Sequence, residues 1–175
     1  MLSQLKVIHA WKIQTTNFAL IWRIVRYVLT VGYVCVDQFG GFTKQGFFGV
    51  FDGHGGKDVA DYCANRMSEV LLNLLKEASM KGVEKCLEET FVKVDGETRL
   101  LDSENTGSTA CVAFITMENK EKVLYVANVG DSRAILVNTD GYQRLSYEHK
   151  ATDPNELIRI QYLLTLLIEN LVVSL

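Results

Sequence analysis

The segment GFFGVFDGHGG, residues 46–56, ends an apolar run on Asp52 and then sets His54 between glycines. An ionised carboxylate at the end of a buried strand is costly unless it is solvated, paired or bound to a cation. Carboxylate and backbone carbonyl oxygens are the ligands that hard ions such as Mg²⁺ and Mn²⁺ prefer. Gly53 has no Cβ, so its carbonyl can approach such an ion closely. His54 would then stand beside the metal, where an imidazole can give a proton to a leaving group. The plain structural alternative is a glycine-rich strand-to-helix turn with an incidental histidine. A second turn, in ANVGDSRAIL (127–136), puts Asp131 after a glycine between two apolar runs. Its plain reading is a tight turn whose aspartate bonds its own backbone.

The elements that must hold these loops follow from periodicity. Gly46–Phe51 is a short uncharged apolar run, which predicts a central strand with Phe47, Val50 and Phe51 covered on both faces. From Asp58 the apolar residues fall at Val59, Cys63, Met67, Val70, Leu71, Leu74, Leu75 and Ala78, the spacing of one helix face. Gly82 interrupts, and Val83, Leu87, Phe91 and Val94 mark a second helix. After Asn105–Ser108 the period becomes two. TACVAFITM, KVLYVANVG and SRAILV are rich in β-branched and aromatic residues, and NTDG (138–141) is a hairpin turn into YQRLS. One strand, two helices and an antiparallel meander make an α+β domain, not a doubly wound parallel sheet. DPNE (153–156) starts a last helix, with Asp153 as N-cap and Pro154 at the first helical position. That helix is apolar almost all round, so it needs cover from the domain, a partner or lipid.

Composition sets the outer bounds. The chain has 175 residues, 48% hydrophobic and 22% charged, enough for one globular domain with a real core. A net charge of −3 gives no electrostatic case for nucleic acid. Cys35, Cys63, Cys86 and Cys111 form no C-x-x-C pair and read as core residues in a reducing compartment. The apolar stretch Phe18–Val36 contains Arg23 and Arg26. Two arginines cost about 5–7 kcal/mol on insertion into a bilayer, against about 3–6 kcal/mol returned by the apolar residues. The 157–175 segment comes closer to balance, which leaves membrane contact as a second reading behind burial against protein. Met1–Gln14 has no signal-peptide pattern.

Taken together, FFGVFDGHGG, TGSTACVAFI, LYVANVGDSRAIL and RLSYEHKATDPNELIRI resemble the metal-dependent protein serine/threonine phosphatases, the protein phosphatase 2C (PPM) family. The resemblance implies an antiparallel β-sandwich flanked by helices in four α-β-β-α layers. It implies two Mn²⁺ or Mg²⁺ ions and a metal-activated water that attacks phosphoserine or phosphothreonine in a phosphoprotein substrate. By the same resemblance Asp52 matches the carboxylate that bridges the metals, and Gly53 the ligand that uses its carbonyl. His54 matches the general acid, and Asp131 a ligand of a third, weaker ion.

The resemblance divides the chain into a non-matching segment 1–36, a partial phosphatase domain 37–160 and a non-matching apolar tail 161–175. Upstream, the family's Arg-x-x-Met-Glu-Asp motif has no counterpart, and Asp37 is the only carboxylate before Asp52. Downstream, two further metal-binding aspartates and their strands have none either. An incomplete sandwich with doubtful activity is therefore expected, from an altered gene model, a splice form or a degenerate paralogue. The competing class is a non-catalytic phosphatase-like module that binds or regulates. A cytoplasmic or nuclear location goes with either.

Overall fold

A computed structural model describes residues 8–13, 30–77, 82–101, 105–138, 141–150 and 152–173. Arg23 and Arg26, Ala78, and Thr139 and Asp140 of the expected hairpin turn lie outside them. The architecture is α+β, built on an antiparallel sheet. Its strands are β1 (Ile8–Ile13), β2 (Val31–Asp37), β3 (Gly46–His54), the two-residue β4 (Gly107–Ser108), β5 (Ala110–Glu118) and β6 (Glu121–Val129). The order across the sheet is β1-β6-β5-β3-β2, with β4 extending the pairing at the end of β3. β7 (Ile135–Asn138) and β8 (Gly141–Arg144) form a separate two-stranded sheet. The helices are α1 (Asp58–Glu77), α2 (Val83–Thr98) and α3 (Pro154–Val173).

The helices α1 and α2 cover one face of the large sheet. Phe47 and Phe51 of β3, Val112 and Phe114 of β5, and Tyr125 and Ala127 of β6 point into a single core with Met67, Leu71, Leu87 and Phe91. Both helices run as their stripes predict. Close approach of α1 to β2 rests on Gly32, where an added Cβ would stand 2.7 Å from the Ala60 carbonyl oxygen.

The other face is thinly covered. Ala113, Leu124 and Val126 pack with Leu145, with Ala134, Leu136, Ile115 and Phe48 partly buried against them, so the cluster is centred on β5 and β6 and meets β3 only at Phe48. This corrects one expectation. Phe47 and Phe51 are 0% exposed, but Val50, on the helix-free face of β3, stays half-buried. A run without polar residues implied cover on both faces. The helices supply one, and on the other the cluster around Leu145 does not include Val50.

β1 and β2 were not expected. β2 lies inside the Phe18–Val36 stretch, where apolar residues on both strand faces hide the two-residue period. The expected third meander strand leaves the large sheet: residues 130–134 are spent on a turn, β7 begins only at Ile135 and pairs with β8 alone, and β1 takes the place beside β6. That turn is held by the segment after β8: Leu145 N donates to Ala134 O at 2.9 Å, and Ala134 N to Ser146 Oγ at 2.8 Å. Glu148 sits among three cations, bonded by Arg133 and within 3.1 Å of Arg144 and 3.2 Å of Lys150.

The start of α3 is as read. Asp153 Oδ1 accepts the Asn155 and Glu156 amides at 2.9 and 3.3 Å, and buried Glu156 pairs with Arg159 at 2.8 Å. Leu157, Ile158, Tyr162 and Leu164 stay exposed, so the helix keeps uncovered apolar surface. Among the described residues no helix is long and apolar enough to cross a membrane.

Two glycines separate packing from propensity. Gly32→Ala should lower stability by about 1–3 kcal/mol, the usual cost of overpacking a close contact. Gly96→Ala, in the last turn of α2 with open space around it, should raise stability by roughly 0.5–1 kcal/mol. Urea denaturation of both variants checks the pair. Acid should also unfold the chain. The Arg133 guanidinium, with Lys150, holds the Glu148 carboxyl below its ordinary value of 4.5, Arg66 does the same to Glu97, and the Tyr147 hydroxyl does so to Asp153. Depressed carboxylates stabilise the fold above their unfolded pKa, and that stability is lost as pH falls through the folded values. Thermal midpoints should therefore drop below about pH 4.5, with a shallower slope in Glu148→Gln.

Candidate active site

Asp52 stands at the end of β3 that faces the helix-free side, beside Val50 and Phe48. The β3–β5 register that pairs Val50 with Cys111 continues to Gly53 with Ser108, but the ladder changes chemistry at Asp52. Thr109 N donates to Asp52 O at 2.9 Å, while Asp52 N donates to the Thr109 hydroxyl at 3.1 Å. The Thr109 carbonyl, which the ladder would use, accepts Ser108 Oγ at 2.7 Å instead.

The glycines are spent on backbone contacts. Gly53 N donates to Thr30 O at 3.1 Å, and a Cβ there would meet the Thr30 and Gly56 carbonyl oxygens at 2.8 and 2.7 Å. Gly55 has φ +72°, and its missing Cβ would lie 2.0 Å from Asn105 O. So the Asp-Gly-His-Gly-Gly loop is seated on the 105–108 loop with no space for side chains. His54 is exposed, and its ring lies over Gly107: Nε2 would be 2.4 Å from any Cβ at that position.

Asp131 belongs to the turn after β6. Gly130, at φ +88°, passes Thr109 so closely that a Cβ would come within 2.7 Å of its methyl. On the far side of Asp131, Ser132 Oγ lies 2.6 Å from Thr109 Oγ1. Thr109 therefore touches both turns, and it brings the Asp52 loop and the Asp131 loop to one end of the sheet. Buried Asn128 fixes the second turn from below, donating to Gly130 O at 3.1 Å and Tyr147 O at 2.6 Å. The Asp131 carboxylate itself faces Lys150 at 3.7 Å, with both side chains about half exposed.

Thr109, Asn128 and Ser132 were not singled out from the sequence, although each lies in a quoted motif. Short polar residues inside apolar strands were the available signal.

The donors fit a two-ion centre poorly. Asp52 offers one carboxylate and Gly53 one carbonyl. Among the described residues no group of three or more His, Cys, Asp or Glu could hold a metal.

Comparison with known proteins places this geometry. A model of the protein phosphatase 2C family matches residues 31–172. Protein phosphatase 2C homolog 1 of Schizosaccharomyces pombe is 37% identical over 141 residues, which cover 79% of this chain and 41% of that protein. The Saccharomyces cerevisiae protein of the same description is 30% identical, covering 72% of this chain and 50% of its own length. The chain thus spans about half the length, or less, of these relatives. Among solved structures, a Caenorhabditis elegans sex determining protein superposes with a TM-score of 0.67 at 20% identity, over 90% of this chain and 38% of that one. A phosphatase from Toxoplasma gondii gives 0.59 at 22%, over 78% and 54%. The two structures support the fold, and the family match with the yeast relatives settles the lineage: the chain belongs to the protein phosphatase 2C family.

Proposed function

We propose that this chain carries the Asp-Gly-His part of a metal-dependent protein serine/threonine phosphatase site, acting on phosphoserine and phosphothreonine in cytoplasmic or nuclear phosphoproteins. The observation behind the reading is the Thr109 junction, which sets Asp52, Gly53, His54 and Asp131 at one sheet end in a chain of this family. Of the four cysteines read as core residues, Cys63, Cys86 and Cys111 are buried and Cys35 is exposed. Asp52 and the Gly53 carbonyl are the oxygen donors for Mn²⁺ or Mg²⁺, and Asp131 serves an outer position. Bound ions of this kind supply a nucleophile at neutral pH and screen phosphoryl charge. His54 is placed to give its proton to the departing serine or threonine oxygen. Its exposure over the side-chain-free Gly107 leaves room for a substrate beside the ring.

The shortage of acids sets the expected level of activity. Two divalent ions about 4 Å apart repel strongly, and carboxylates are what offset that repulsion. One carboxylate and one carbonyl leave most positions to water, so binding should be weak and turnover slow. The same shortage favours a second reading, a phosphatase-like module that binds phosphoprotein without cleaving it. The Asp131–Lys150 pair does not weigh heavily for it, because half-exposed pairs are worth only about 0–1 kcal/mol.

Calorimetric titration with Mn²⁺, alongside hydrolysis of an aryl phosphate, tests the reading. Weak binding, roughly millimolar, is expected, little changed in Asp52→Asn, with slow Mn²⁺-dependent turnover that Asp52→Asn removes. Hydrolysis no faster than in buffer, with retained phosphopeptide binding, selects the module. Tight uptake of two ions, lost in Asp52→Asn, would show that other carboxylates complete the centre. A further variant addresses the proton donor. Gly107→Ala should displace the His54 imidazole, shifting its ring resonances and slowing any turnover about as much as His54→Asn does, on the order of 10²-fold.

A further inference from the structure

We propose that a cavity at the opposite end of the sheet binds an amphipathic anion, an acid group carried on a small apolar body. The cavity measures about 410 Å³ and opens where β3 begins and the β5–β6 turn closes. It lies six residues of β3 away from Asp52, roughly 20 Å along the strand, and it owes nothing to the phosphatase reading. Its volume is in the range of about 300–1,000 Å³ usual for small-molecule sites.

The floor is apolar. Phe48, Ile115 and Met117 lie on the helix-free face, with Phe48 and Ile115 only partly buried at the margin of the Leu145 cluster. The rim is cationic. Lys44, Lys120 and Lys122 face the single acid Asp37, in a chain whose net charge is −3. Among the described residues Lys44 and Lys120 make no ion pair. Asp37 spends one oxygen on the Gln38 amide, at 2.9 Å. An apolar floor under cations selects a ligand with both properties: the floor takes the body and the lysines take the acid.

The backbone around the rim is held in costly shapes. Among the described residues, the non-glycine positions with positive φ are Gln38 (53°), Asn119 (50°) and Lys120 (69°); Lys120 lines this cavity, and the other two are chain neighbours of lining residues, Gln38 of Asp37 and Asn119 of Lys120. Asn119–Lys120 is a two-residue hairpin turn in which the second position strongly prefers glycine. A lysine there tolerates strain and sends a charge to the rim, the pattern of strain kept at a binding site. The lining residue Gln45 is held as well, its Nε2 donating to Thr116 Oγ1 at 3.1 Å. Behind the floor, on the helix face of the sheet, Phe39 stacks on Phe47 and meets Phe114 edge-on, at centroid distances of 5.6 and 5.4 Å, which braces the strands that carry the floor.

A matched pair of probes tests this, 1-naphthylacetate and its uncharged amide, followed by methyl resonances of the full chain. Naphthylacetate should shift the Ile115 and Met117 methyls saturably, bind at least fivefold tighter than the amide, and weaken with salt. Lys44→Gln with Lys120→Gln should reduce its affinity at least tenfold. Lys120→Gly separates binding from folding: the thermal midpoint should stay or rise as strain is relieved, while affinity falls. Equal binding of both probes, shifts confined to the exposed α3 residues Leu157 and Ile158, or no saturable shift would each overturn the proposal.

Discussion

The side chain of Thr109 fixes the relation between the two loops of the candidate site. Its hydroxyl accepts the Asp52 amide and meets Ser132, while its methyl lies against Gly130. A threonine in an ordinary antiparallel ladder would give its carbonyl to the opposite amide. Here the carbonyl is diverted to Ser108, and the hydroxyl takes over the bond. The substitution matters because a backbone carbonyl points along the sheet, whereas a hydroxyl can bond the opposite strand and still reach the next turn. Serine would keep both bonds but lose the methyl contact. Valine would keep the shape and leave the Asp52 amide unpaired, a loss of about 1–3 kcal/mol for a buried donor.

The large sheet has two faces with different histories in the sequence. Its helix face was legible, because α1 and α2 carry their stripes at helical spacing and their partners on β3, β5 and β6 fall at alternate positions. Phe47, Phe51 and Phe114 need no information beyond that alternation. The other face was not legible, since Val50 and Phe48 look no different from buried residues in a one-dimensional reading. Whether they are covered depends on a second layer, and here the cluster around Leu145 meets Phe48 at its margin and does not include Val50. β2 was missed for a related reason: Val34 and Val36 are apolar on one face while Val31, Tyr33 and Cys35 are apolar on the other, so neither period stands out.

The site was half legible. Asp52 and His54 were marked by their setting, a charge and an imidazole among glycines, and Asp131 by a glycine before it. What the sequence did not show was the means by which they meet. Thr109 and Asn128 act through single hydroxyl and amide atoms, and neither residue type carries a signature at one position. Lys150 was equally hidden, since it reaches Asp131 only because Glu148 and Asn128 hold the 145–150 segment against the turn.

That last arrangement bears on how Asp131 can work. Arg133, Arg144 and Lys150 surround Glu148, and Glu148 takes most of their charge because it is the most enclosed of the group, with its side chain 14% exposed. Asp131 is left with a single lysine at 3.7 Å and open water on its other side. An exposed pair of that kind is held loosely and screened by salt. A divalent cation offers the carboxylate twice the charge at shorter range, so it competes with Lys150 on favourable terms. The strength of the Glu148 cluster and the weakness of the Asp131 pair are thus two sides of one partition: the buried acid anchors the segment, which leaves the exposed acid free to exchange its partner.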